Sequence, residues 1–207
     1  MSSQVGTVAA IVGGVPIGVD EIDAREAALR AGRLAAALPR AGTSEGRQLR
    51  RWLTQLTVTE RVVAIEAAAL GVTPDAAPAE DELLPDASAR LDVGSVAAAA
   101  LADPLARALF MHVTAAVEVS DDDVAGYHAR NPLRFAPRPR AEGWSTGRPA
   151  APVLAEVRSV IADHLLAAAR RRAFRVWLDA RRAALVELAP GYEHPGDPHQ
   201  PDNTHRH

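Results

Sequence analysis

From Val153 to Arg182 apolar residues recur in steps of three and four: Val153, Val157, Ile161, Leu165, Ala168, Ala169, Val176 and Ala180. Arg170, Arg171, Arg172, Arg175, Arg181 and Arg182 fall mostly at other positions. That period specifies one long amphipathic helix, and such a helix needs other helices to cover its apolar face. Aromatic residues make up only 4% of the chain and alanine dominates the apolar set. The interior must therefore come from closely approaching helices with small contacts, which predicts a mostly α fold.

The remaining elements are predicted from their ends. Thr7 to Ile17 holds two β-branched runs around Gly13-Gly14, the composition of a tight hairpin over 7–17. Asp20 is placed to cap a helix over 20–38 that stops at Pro39, and Ser44 to cap one over 45–70 that ends at Gly71. Pro74 to Asp92 has three prolines within TPDAAPAEDELLP and little periodicity, so a long surface connection with one helical turn near Leu83 and Leu84 is expected. A helix over 95–116 must kink or break at Pro104. His112 lies on it among apolar residues and is expected to pack rather than to bind a ligand. Ser120 and Asp123 form a capping box for a helix over 121–130, which Asn131-Pro132 stops. Residues 136–152 are an Arg/Pro/Gly-rich connector with Trp144 as its anchor. Ala184 to Leu188 alternates as a strand whose partner is the N-terminal hairpin. This gives a single helical domain over 1–190 with a small β element joining its ends, followed by a polar tail over 191–207.

Composition excludes several chemistries. All 23 basic residues are arginine, the net charge is −3 and the pI is near 6.2, so no field favours nucleic acid or an anionic membrane. Cysteine is absent, which removes disulfides, thiol nucleophiles and thiolate metal sites. No GxSxG, P-loop or dinucleotide fingerprint is present. The opening residues lack the basic region of a signal peptide, so a cytoplasmic location is expected.

Four segments resemble the helical domain of the SurA/PrsA-type foldases, the parvulin-associated chaperones. They are Ala10 to Ala28, with its Val-Pro-Ile; LTQLTVTERVVAIEAAALGV over 53–72; VSDDDVAGYHARNPLRF over 119–135; and the terminal run over 157–188. The resemblance implies a final strand that returns to the N-terminal hairpin. It also implies a prolyl isomerase domain inserted after the Arg-Phe pair, a domain on the order of a hundred residues. Only Ala136 to Pro152 stands there, so isomerase activity is not expected.

Two functions follow. The first is a chaperone-like polypeptide-binding module, acting on a client or partner protein through grooves between helices with arginines at the rim, with a homodimer through the long helices as one option. The candidate contact residues are Trp52, Leu56, Phe110, Tyr127, Phe135, Trp144 and Trp177. The alternative is a small metal-binding accessory protein or enzyme of secondary metabolism that uses the tail. There His194, His199, His205 and His207 offer imidazoles for a divalent transition metal. An enzyme of that kind would pair tail histidines with Tyr127, His128 or His164. No catalytic constellation is identified.

Overall fold

The computed structural model describes residues 7–33, 35–136 and 151–193. The chain is mostly α-helical, with a three-stranded antiparallel sheet that ties its ends together. Strand β1 (Val8–Val12) turns through Gly13 and Gly14, at φ 57° and 81°, into β2 (Val15–Gly18). These are left-handed backbones that only glycine takes up without strain. Strand β3 (Val186–Leu188) lies on the other edge of β1, with Ala10 opposite Leu188 and Val12 opposite Val186. As the middle strand, β1 buries Ala9, Ala10 and Val12 completely. The expected return of the last strand to the hairpin is therefore present.

Helix α1 (Val19–Arg30) is shorter than the predicted 20–38. Its N-cap is Gly18, with no side-chain cap, so Asp20 sits in the first turn instead. The chain leaves the helix at Ala31 and Gly32, and Ala35–Ala37 form a separate 3-10 turn. Glycine at position 32 lacks the propensity to carry the helix across this alanine run. Only Ile22 of α1 is buried, and ion pairs hold the helix to its neighbour, among them Arg25–Glu60 and Arg61–Glu21.

Helix α2 (Ser44–Leu70) is the central strut. Its cap is Thr43, one residue before the predicted one, and the Thr43 Oγ1 accepts from Gly46 N at 3.1 Å. Gly71 ends the helix at φ 65°, as its position suggests. Leu53, Val58, Val62 and Val63 of α2 enter the main core. A polar edge of the same helix receives the segment after β3: Gln55 Nε2 donates to Tyr192 O at 2.8 Å, and Arg51 Nε to Gly191 O at 3.3 Å.

The stretch expected as a long connection carries more structure than its pattern suggests. After a 3-10 turn at Pro74–Ala76 come α3 (Glu80–Leu83) and α4 (Ala87–Val93). Asp86 caps α4 by accepting from Ala89 N at 2.8 Å, and Ala89 and Val93 are buried. Two buried residues in seven are too few for a periodic signal, so tertiary packing and the cap define this helix. The predicted helix over 95–116 is two, α5 (Ser95–Ala100) and α6 (Pro104–Val113), broken where Asp103 Oδ1 accepts from Leu105 N. His112 is exposed, against the packing role expected for it, because the buried face of α6 is carried by Ala106, Leu109 and Phe110.

Helix α7 (Asp121–Arg130) has the expected capping box between Ser120 and Asp123. Helix α8 (Leu154–Leu185) passes the main body at its C-terminal half, where Phe174 and Leu178 join the core and Phe174 lies 5.0 Å from Phe110 between ring centroids. Its N-terminal half pairs with α7 over a separate small core of Val124, Val157 and Ile161. Each fully buried Leu, Ile or Phe of these cores contributes about 1.5–3 kcal/mol.

Candidate functional site

Helix α8 touches α4, α6 and α7 at different heights, and grooves open beside those contacts. One groove, of about 240 Å³, lies between α8 and a wall made by α3 and α6. Pro78 and Leu83 form one side, Phe110 and Met111 the floor, and Leu166 and Ala167 of α8 the other side. Glu82, Asp163, Arg170 and Arg171 supply the charge. Positions 163, 166, 167 and 170 are one stripe of α8, spaced so that they share a face.

Three consecutive arginines on α8 meet three environments, since successive helical residues turn by about 100°. Arg171 is buried, and its Nη2 donates to Asp92 Oδ2 of α4 at 3.2 Å. Arg172 turns the other way and lines a second groove of about 210 Å³ against α7, with Asp123, Tyr127 and Arg130. Arg170 faces the apolar groove, and its buried Nε has no hydrogen-bond partner among the described residues. Leaving such a donor unpaired costs about 1–3 kcal/mol.

A model of a family of unknown function (DUF7158) matches residues 8–45. No curated protein and no solved structure matches the chain. The matched segment covers the β1–β2 hairpin, α1 and the connection to the first residues of α2, so it lies outside the groove.

The residues expected to contact a ligand do not converge. Leu56 is buried with Val96 and Ala100, and half-buried Trp52 packs over them while lining a shallow, open depression near Pro39 and Leu49. Phe110 is 1% exposed, so it is a core residue that reaches the groove only as its floor. Trp177 is half-buried and stacks on Phe174 at 5.7 Å, within the same core. Tyr127 and Phe135 sit apart from these at the α7–α8 contact, 6.2 Å from each other and 5.5 and 5.8 Å from the His164 ring. Trp144, His194, His199, His205 and His207 lie outside the described residues.

The body histidines proposed as partners for the tail are placed differently from one another. Tyr127 Oη lies 3.4 Å from His164 Nε2, while His128 Nε2 lies 2.9 Å from Pro152 O, which ties the end of α7 to the start of α8. Among the described residues no group of three or more His, Asp or Glu is arranged to hold a metal ion. No helix among them is long and apolar enough to cross a membrane. Met111, Leu166, Ala167 and Arg170 were not singled out as a site by the sequence. Leu166, Ala167 and Arg170 form a stripe beside the buried one on α8, and it becomes a groove only where Met111 of α6 stands opposite.

Proposed function

We propose that this chain is a chaperone-like polypeptide-binding module that lays an extended apolar segment of a client into the groove between α8 and the α3–α6 wall. The observation that carries this reading is an apolar groove floored by Phe110 and Met111 with the Arg170 side chain along its edge. Apolar side chains of a client would fill the floor. The Arg170 guanidinium would donate to main-chain carbonyls, which every sequence offers, so binding would tolerate many sequences. Glu82 and Asp163 at the rim supply acceptors for client amides and cations. The resemblance to the helical domain of the SurA/PrsA-type foldases points to the same activity, without an isomerase step.

The reading is tested by suppression of aggregation of a denatured client and by binding to a peptide array. Wild-type protein is expected to delay aggregation and to favour apolar peptides. Arg170→Ala is expected to weaken peptide binding about tenfold, the effect of one lost charge-assisted hydrogen bond. Failure to bind any array member and to protect any client would overturn the proposal.

A further inference from the structure

On the other side of α4, a pocket of about 290 Å³ opens between α8 and the start of α5. Arg171 and Arg175 both bond to Asp92 of α4, which separates this pocket from the groove. Its apolar surface comes from Val96, Ala97 and Leu178, and its charge from Arg175, Asp179 and Arg182 on one stripe of α8.

The hydrogen bonds of these two cations go to neutral oxygens. Arg175 spends Nη1 on the main-chain carbonyl of Asp92 at 3.1 Å. Arg182 donates to Thr59 Oγ1 at 2.7 Å and to Gln55 Oε1, two neutral and fully buried acceptors on α2. Neither arginine forms an ion pair among the described residues, whereas the adjacent Arg181 is paired with Glu66 at 2.6 Å. Burial pushes the Arg182 guanidinium below its ordinary pKa, with the Asp179 carboxylate opposing.

Two arginines and one aspartate leave one formal positive charge in the pocket. That favours a monoanion, which brings the pocket to neutrality, over a dianion, which would leave it negative beside Asp179. The apolar floor favours a short aliphatic body behind the charge. We infer that the pocket between α5 and α8 binds a small aliphatic monocarboxylate, held by Arg175 and Arg182 and seated on Val96, Ala97 and Leu178. This site is independent of the polypeptide groove, since it shares no lining residue with it.

The test is titration of the ¹⁵N-labelled full chain with sodium butanoate, butanamide and inorganic phosphate, read at the amides of Gly94 to Ala97. Butanoate is expected to shift these amides saturably, and butanamide to bind at least about tenfold more weakly, since a charge-assisted pair is lost. Arg175→Gln, an exposed change, is expected to weaken butanoate about tenfold, and Arg182→Gln at least as much. Asp179→Asn is expected to tighten it and keeps the site testable if Arg182→Gln disturbs the fold. The inference is overturned if no saturable shift appears, if butanamide binds as well as butanoate, if phosphate occupies the site more tightly, or if Arg175→Gln has no effect.

Discussion

Arg171 of α8 reaches across to Asp92 of α4, its Nε and Nη2 lying 3.3 and 3.2 Å from the same Oδ2 atom. The arginine side chain is 7% exposed and the aspartate 39%. The pair fixes α4 against α8 and forms the divide between the apolar groove and the arginine pocket. The two members differ in what their loss leaves behind.

Removal of Asp92 strands a buried guanidinium, whereas removal of Arg171 leaves a carboxylate that water reaches. Asp92→Ala is therefore expected to destabilise by about 1–3 kcal/mol, and Arg171→Met by less. Urea denaturation of both variants checks this. Equal losses would show that the desolvated guanidinium does not decide the energetics.

The cap of α2 is a second discriminating case. Thr43→Ala removes the acceptor for Gly46 N and is expected to cost about 1 kcal/mol. Ser44→Ala, one residue into the helix, is expected to cost little. Thermal unfolding of the two variants separates them, and a larger loss for Ser44→Ala would move the cap to the residue that pattern alone suggests.

That one-residue difference shows where the sequence was legible. The hairpin was readable because Gly13-Gly14 admits few backbones, and α7 because Ser120-Asp123 and Asn131-Pro132 mark both ends. The long period of α8 announced the helix but only part of its buried face: Val157 and Ile161 are buried as expected, whereas Val153 and Val176 are exposed and Phe174, Leu178 and Arg171 face the body instead. Helix α4 was not readable, because only Ala89 and Val93 are buried and the rest of its definition comes from Asp86 and from Arg171 across the chain. The groove was hidden for a related reason. Arg170, Arg171 and Arg172 look alike in sequence, and only the positions of α4, α6 and α7 give them different partners. Phe110 and Leu56 were expected at a binding surface because large apolar residues suit one, but burial in the core suits them equally.

The Ser120–Asp123 box also predicts a pH response. Hydrogen bonds from the Ser120 side chain and main chain hold the Asp123 carboxyl below its ordinary pKa. The folded state thus binds this proton more weakly than the unfolded state. The contribution to stability is complete above the ordinary Asp value of about 3.9 and is lost as pH falls through the lower folded value. In Ser120→Ala the Asp123 midpoint is expected to rise toward the ordinary range in a carboxyl ¹³C titration. An unchanged midpoint would rule out the box as its cause.

The chain contains two methionines, Met1 and Met111, and Met111 lines the apolar groove. Methionine ¹³C-methyl labelling therefore places a signal inside the proposed client site, which Met111→Leu assigns. On titration with a permanently unfolded, carboxymethylated polypeptide, the Met111 methyl is expected to shift saturably, and Arg170→Ala is expected to require about tenfold more polypeptide. Binding of the polypeptide with no change at Met111, or no binding at all, would contradict the assignment of this groove as the client site.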